Sequence, residues 1–320
     1  MTDAASFTQA LTAVVGADRV RRHEPLAAHT TFRVGGPADW WAEPHGREAL
    51  LAALRVAHAH GVPVTLLGGG TNVIVADAGI RGLVLHPRGG SVDWHGPSRV
   101  RADAAISING LVRWCLTNGA AGVEAWAGTP GTVGGAIYGN AHWGGESIGD
   151  HLVSVEVADR TGRVYEVTAE AMAFAYDTSR LQQSGEVLVT ADLRVTQGMP
   201  DTLRATARAS LAYRKRTQPL AAPSAGCIFQ NPVPGRDVLP PDIPWSAGAL
   251  IDRAGLKGRA IGDARVSSVH ANFLVNEGHA TAAEIRALVA LCRAEVRAQF
   301  GVTLREEVVC LGDDASPMTE

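Results

Sequence analysis

"VPVTLLGGGTNVIVAD", Val62 to Asp77, sets short runs of β-branched and leucine residues on either side of Gly68, Gly69 and Gly70. Branched side chains favour extended backbone and a triple glycine interrupts it, so the stretch reads as strand, bare-backbone loop, strand. A second glycine-rich stretch, "GTPGTVGGAIYGNAHWGGE" from Gly128, is expected to hold no ordinary helix or strand throughout. Glycines let backbone N–H groups approach phosphate oxygens closely, so two such loops in one domain point to a bound dinucleotide. Neither is a P-loop, because "GGGTN" lacks the Gly-Lys-Ser/Thr ending, and neither is a GxGxxG turn leading into a helix. Tight structural turns are the alternative reading of each loop.

Around these loops the pattern mixes element types. Phe7, Leu11 and Val14/Val15 recur at helical spacing up to Gly16, and "REALLAALRVAHAH" makes a second helix that stops at Gly61. A further helix spans Ile106 to Leu116 and ends at Asn118-Gly119. "LVSVEVADRTGRVYEVTA" alternates valines about Thr161-Gly162 and predicts a hairpin, and "VLVTADLRV" predicts one more strand. Asp201 to Arg216 reads as a helix with a basic end, followed by the proline-rich "VLPPDIPW". A helix in "SAGALIDRAG", a strand in "ANFLVN" and a strand in "TLREEVVCLG" complete the chain. Before the last of these, Thr281 and Glu284 form a capping-box start to a helix striped by Ile285, Leu288, Val289, Cys292 and Val296. The fold class is therefore α+β, with a boundary near residue 200.

Composition bounds the partners. The chain has 320 residues, 46% of them hydrophobic and 19% charged, with a net charge of -3. Such a chain is globular and carries no electrostatic footprint for nucleic acid or an anionic membrane. Small molecules are the expected partners. The start "MTDAASFTQA" lacks a basic, apolar leader, and no apolar run reaches the roughly 18 residues of a membrane span, so a cytoplasmic chain is expected. Cys115, Cys227, Cys292 and Cys310 show no CxxC spacing and predict neither a zinc site nor a disulfide framework. No metal is expected. Three of the four read as small buried hydrophobes, whereas Cys227 sits among glycine, proline and polar residues.

Several motifs occur in a specific order: "HTTFRVGGPADWW" (His29 to Trp41), the two glycine loops, "PSAGCIFQNP" (Pro223 to Pro232), "SAGALIDRAGLKG" (Ser246 to Gly258), "VSSVHANFLVN" (Val266 to Asn276) and "LREEVVCLG" (Leu304 to Gly312). Over residues 20 to 312 or so the chain closely resembles the UDP-N-acetylenolpyruvoylglucosamine reductases, also called UDP-N-acetylmuramate dehydrogenases, of bacterial cell-wall synthesis. The resemblance implies an FAD-binding domain of vanillyl-alcohol-oxidase type over residues 1–200, in subdomains of about 20–85 and 86–200. A C-terminal α+β substrate domain over 201–320 would follow. It also implies non-covalent FAD, NADPH as co-substrate, and hydride transfer by way of FAD to the terminal carbon of an enolpyruvyl ether of UDP-N-acetylglucosamine. His86 and His142 read as strand or loop residues rather than covalent links to the flavin.

The residues carried over are these. Gly68, Gly69, Gly70, Thr71 and Asn72 match the first FAD loop, and Thr129, Pro130, Gly131, Gly134, Gly135, Asn140 and Ala141 match the second. Val189 matches a strand whose backbone meets the flavin pyrimidine. Arg214, Asn231, Lys257 and His270 fall at positions near the nucleotide-sugar, where cationic and amide groups suit a diphosphate and uracil. Hydride arrival leaves enolate-like charge on the substrate, so the site must stabilise that charge and deliver one proton. The resemblance makes Cys227 the proton donor; an unperturbed thiol, with a pKa of about 8.5, is mostly protonated near neutrality and can serve. Glu307 is expected to assist at the enolate, with a raised pKa, and Glu306 to point to the other face of a regular strand.

One position departs from the family. "FAYDTS", Phe174 to Ser179, stands where the family usually reads "FGYRxS", so Asp177 replaces an arginine expected to stabilise the enolate. Arg180, three residues on, is the candidate substitute by a local shift. Two other functions stay open: a flavin oxidase of the same fold acting on a free sugar or hydroxy acid, and a non-catalytic paralogue that binds flavin or UDP-sugar. The "SAGCIFQNP" and "LKG" stretches speak against the oxidase, and Asp177 keeps the paralogue alive.

Overall fold

A computed structural model describes residues 3–312. The chain divides into two compact units. One comprises Met1–Glu24, Asp39–Gly69 and Gly82–Tyr213; the other comprises Pro25–Ala38, Gly70–Arg81 and Arg214–Glu320.

The first unit is built on two sheets. In chain position, the strands Val20–Pro25, Pro37–Ala42, Ile80–Leu85 and Val64–Leu66 lie in that order in one sheet. The helices Ala4–Val15 and Gly46–Ala59 bury Phe7, Leu11, Leu50 and Leu54 in a cluster with Leu83 and Leu85. Both helices stop where the sequence says: Gly16 accommodates a φ of 104° and Gly61 one of 64°. The second sheet orders Val164–Thr168, Leu152–Ala158, Val187–Arg194, Arg99–Asp103 and Val92–Trp94, all antiparallel. The expected hairpin is its edge, with Asp159 holding the turn by accepting from Thr161 and Arg163. The helix Ile108–Asn118 places Leu111, Val112 and Cys115 in the core of this sheet. The second glycine-rich stretch does contain regular structure: Val133–Tyr138 is a short helix, started by the Thr132 hydroxyl accepting from Gly135.

In the second unit, the helix Ala282–Phe300 covers a three-stranded sheet of Ala260–Ile261, Ala264–Val266 and Leu274–Asn276. Its capping box is formed as the sequence predicts, and Asp77 adds two more acceptors, taking Ala282 N–H and Ala283 N–H at 2.9 Å each. Ile285, Leu288, Val289, Cys292 and Val296 all face the core, together with Ile228, Phe229 and Leu250.

The sequence places a single boundary near residue 200, whereas packing divides the chain at Tyr213/Arg214 and assigns residues 25–38 and 70–81 to the C-terminal unit. The physical cause is nonlocal pairing. Val73–Val75 runs parallel to the last strand, Val309–Leu311, and Phe32, Val34 and Ile74 are buried in the same core as the long helix. Asn276 fixes one excursion: its Nδ2 donates to Phe32 O at 2.9 Å while its Oδ1 accepts from Gly278 and Ala280.

Asn276 is 3% exposed, so Asn276→Ala would strand buried backbone groups. It should destabilise the protein by about 2–3 kcal/mol, read as a lower urea midpoint at unchanged slope. A loss below about 0.5 kcal/mol would show that the excursion does not depend on this amide.

Candidate active site

Cys227 lies in a segment held from both sides by backbone. On one side Cys227 bridges Phe273, and Ile228 N–H donates to Asn272 O at 2.9 Å. On the other, Glu307 N–H donates to Ile228 O at 2.8 Å, Phe229 bridges Glu306, and Gln230 N–H donates to Arg305 O at 2.9 Å. Asn272 is the pin. Its side chain, 3% exposed, accepts from Phe229 N–H at 3.0 Å and donates to Phe229 O at 2.8 Å. Gly226, with φ of 79°, turns the chain into this segment, and Ile228 and Phe229 anchor it in the core. Each such apolar anchor contributes roughly 1.5–3 kcal/mol. Cys227 and Glu307 therefore sit on neighbouring extended segments.

The two glutamates separate. Glu306 forms an ion pair with Arg293 of the long helix, which assigns it a structural partner. Val308 N–H also reaches Ile228 O, at 3.4 Å, so two successive N–H groups share one carbonyl and the pairing is bulged rather than regular. The regular strand that the opposite-face expectation assumed is therefore absent at Glu306 and Glu307, and the last strand begins at Val309.

Arg214, in the last turn of the helix Pro200–Thr217, belongs to the same unit as Cys227 and is 5% exposed. Burial pushes its guanidinium down to about 10, and negative charge on Cys227 acts in the opposite direction. Asn231 accepts from Ala247 N–H at 3.0 Å and so holds the start of the helix Ala247–Arg253. Lys257 pairs with Asp252 at 2.7 Å, with both side chains substantially exposed. His270 packs its ring against Gly248, where an added Cβ would lie 3.2 Å from Cε1. Burial first, and the Lys257 charge second, push the His270 pKa below its ordinary value, which keeps the ring neutral. Asn272 N–H donates to its Nδ1 at 3.3 Å, so the proton of the neutral ring belongs on Nε2.

The residues assigned to FAD fit an anionic ligand. No carboxylate occurs in Gly68–Asn72 or in Gly128–Ala141. In the second loop the carbonyls turn back into the protein: Thr129 O accepts from Asn109, Gly131 O from Ile108 N–H, and Thr132 O from Ala136 N–H. Turning carbonyls inward keeps their negative ends away from a phosphate. Two of the glycines also answer to packing, since a Cβ at Gly68 would meet Thr132 Oγ1 at 2.7 Å and one at Gly134 would meet Ala104 at 3.2 Å. Val189 is buried, gives its carbonyl to Ala104 N–H, and is skipped by the ladder to Leu152–Ala158, whose pairing jumps from Leu188 to Thr190. A bulge at this residue releases its backbone from the sheet pattern. In the first loop, Gly70 O accepts from Thr31, and Asn72 Nδ2 donates to Glu307 O at 3.1 Å. His86 is held by Leu67 O at 2.8 Å and stacks near Trp41, a structural role. Asn140 is likewise engaged by the protein, donating to Ala175 O and accepting from Gly149 N–H.

The proposed substitution of Arg180 for the family arginine is not what the structure shows. Arg180 makes a two-point ion pair with Glu186, at 2.9 and 2.7 Å, and Tyr165 donates to the same carboxylate. A guanidinium fixed in that fork stabilises the sheet edge instead of waiting for a ligand. Sequence reading missed Glu186 because the partners Tyr165, Arg180 and Glu186 meet only through folding. Asp177 instead lies 3.1 Å from His142. Among the described residues no cluster of His, Cys, Asp and Glu could hold a metal, and no helix is long and apolar enough to cross a membrane. Cys115 and Cys292 are buried and pushed up to about 12, as inert core thiols are.

Comparison with known proteins follows this layout. Residues 38–168 match the profile described as an FAD binding domain, and residues 218–311 match the C-terminal domain of UDP-N-acetylenolpyruvoylglucosamine reductase. A reductase of that name from Heliobacterium modesticaldum is 39% identical over 293 residues, covering 91% of this chain and 90% of its own. One from Synechococcus sp. strain CC9311 is 41% identical over 312 residues, covering 94% and 96%. The crystal structure of the enzyme from Thermus caldophilus superposes with a TM-score of 0.76 at 32% identity, over 92% of this chain and 99% of that one.

Glu186, whose side chain is 5% exposed, is held down to about 2, first by the Arg180 hydrogen bonds. Its folded pKa is below its unfolded one, so its stabilisation is present above about pH 4.5 and is lost as pH falls toward 2. Between pH 6 and 2.5 the wild type should lose about 2–3 kcal/mol more stability in urea titrations than Glu186→Gln. Parallel acid limbs would contradict this.

Proposed function

Because the chain belongs to the UDP-N-acetylenolpyruvoylglucosamine reductase family, we propose how its residues divide that reaction. It is an FAD-dependent oxidoreductase that uses NADPH to convert the enolpyruvyl ether of UDP-N-acetylglucosamine to UDP-N-acetylmuramate, in peptidoglycan precursor synthesis. The reading places this step in the cytoplasm, where NADPH and nucleotide-sugars are found.

FAD, when bound, carries the hydride of NADPH to the terminal carbon of the enolpyruvyl group. In this reading Gly68 to Asn72 and Thr129 to Ala141 hold it, with Val189 backbone at the ring. The Cys227 thiol gives its proton to the carbon beside the carboxylate, and the electron pair of the former double bond accepts it. Arg214 then offsets the charge left on sulfur, and Glu307 hydrogen-bonds to the enolate carboxylate while the proton moves. His270, neutral with its proton on Nε2, donates to a nucleotide-sugar oxygen; Lys257 supplies long-range positive charge to the diphosphate, and the amide of Asn231 lines the same region. The observation that supports these roles best is the two-sided clamp on the Cys227 segment, which brings Glu307 onto the adjacent segment. A proton donor must be within hydrogen-bond reach and rigid, and backbone pairing supplies that rigidity.

The test is anaerobic. NADPH should bleach the flavin, and UDP-N-acetylglucosamine enolpyruvate should restore its colour with UDP-N-acetylmuramate formed in equal amount. Bleaching without restoration would sustain the non-catalytic alternative, and oxygen uptake on free sugars would sustain the oxidase. Glu307→Gln should slow restoration about 10- to 100-fold. Glu306→Gln should mainly lower stability through lost pairing with Arg293, and a larger kinetic effect than at Glu307 would reverse the assignment.

A further inference from the structure

Gly70, Thr71 and Asn72 of the first glycine loop belong to the C-terminal unit, together with Cys227 and Glu307. Gly70 is fixed there by the chain around Thr31. Its φ of 61° is left-handed, and its carbonyl accepts from Thr31 N–H at 2.9 Å and from Thr31 Oγ1 at 3.1 Å. A Cβ at this position would meet His29 O at 2.1 Å, so only glycine fits. Two residues on, Asn72 meets the last segment of the chain. Its carbonyl accepts Val309 N–H at 3.0 Å, and its Nδ2 donates to Glu307 O at 3.1 Å.

The second of these bonds departs from sheet geometry. In a parallel ladder a residue whose carbonyl takes one N–H gives its own N–H to the carbonyl two residues earlier on the same neighbour. With the Asn72 carbonyl on Val309, the main-chain N–H of Asn72 would belong on Glu307 O. The side-chain amide is there instead, and regular pairing begins only at Val73 with Val309. The amide thereby releases the main-chain N–H of Asn72 from the ladder, at the end of a loop that carries no carboxylate. The same row of bonds continues to the cysteine segment. Glu307 N–H donates to Ile228 O at 2.8 Å, and Ile228 N–H to Asn272 O at 2.9 Å. Asn72, Glu307, Ile228 and Asn272 therefore link four chain segments of one unit edge to edge.

We propose that Asn72 is a positioning residue that couples cofactor occupancy of the first glycine loop to the placement of Glu307: its N–H serves the anionic cofactor while its side chain holds the Glu307 main chain. This rests on the reading above, which gives the loop to FAD and the enolate to Glu307. A loop that gains an anionic ligand loses freedom, and whatever is hydrogen-bonded to it is held more tightly in turn.

Hydrogen exchange reads this coupling without turnover, on the full chain freed of FAD and then reloaded to saturation. In the wild type, loading should slow exchange of the Glu307 and Val309 amides about 10-fold relative to those of the helix Ala282–Phe300, which report any global change. The effect should be largely absent in Asn72→Ala and in Asn72→Asp, which keeps the shape but has no N–H to donate. At saturating FAD, Asn72→Ala should slow restoration of flavin colour by UDP-N-acetylglucosamine enolpyruvate about 10-fold, yet add less than about twofold in a Glu307→Gln background, because it acts through Glu307. Rate losses that multiply in the double variant, or equal FAD-induced protection in Asn72→Ala and wild type, would overturn the proposal. Glu307→Gln restoring at the wild-type rate would overturn the reading of Glu307 and the kinetic role of Asn72 with it. Exchange separates the two failures, since it reads the hold of Asn72 on Glu307 whatever Glu307 does.

Discussion

Two hydrogen bonds of one buried amide organise the segment that carries Cys227. Asn272 pairs with both backbone groups of Phe229, and its own carbonyl takes Ile228 N–H. With Phe229 and Ile228 sunk in the core, Cys227 has no freedom to drift, and the segment carrying Glu307 is registered against it. Without Asn272 the backbone of Phe229 would be buried and unpaired, a loss of about 1–3 kcal/mol for each group left without a partner. On the proposed reading this rigidity serves the reaction, because proton delivery to carbon tolerates little misplacement.

Charge is distributed to match. The two glycine loops are free of carboxylates, and Thr129, Gly131 and Thr132 of the second turn their carbonyls back into the protein, while Arg214 is buried in the unit that holds Cys227. Arg214 accepts a desolvation penalty that lowers its pKa to about 10, and a charge held that way is strongest toward an anion that appears nearby. Surface pairs such as Lys257 with Asp252 do much less for stability, because water screens them. Burial, and then the Lys257 charge, pushes His270 below its ordinary value and favours the neutral ring.

Local features were legible in the sequence because they are local. The capping box at Thr281 and Glu284, the hairpin about Thr161-Gly162 and the helix ends at Gly16 and Gly119 all follow from residues within a few positions of each other. The ordered motifs made the family readable as well. What stayed hidden depends on chain segments far apart. Parallel pairing of Val73–Val75 with Val309–Leu311 leaves no periodic trace and carries residues 70–81 into the C-terminal unit. Asn272, inside "VHANFLVN", resembles any polar residue beside a strand until its partner at Phe229 is seen. Arg180 looked available because Glu186 and Tyr165 are not recognisable as its partners from spacing alone.

The central claim is that the thiol of Cys227 delivers the proton, and single-turnover absorbance kinetics on enzyme already reduced by NADPH test it most directly. Cys227→Ala, with flavin content and NADPH reduction matched to the wild type, should restore flavin colour at least about 1,000-fold more slowly on adding substrate. Cys227→Ser, which keeps a transferable proton, should retain a measurable part of the rate. Equal rates in Cys227→Ala and wild type would contradict the account.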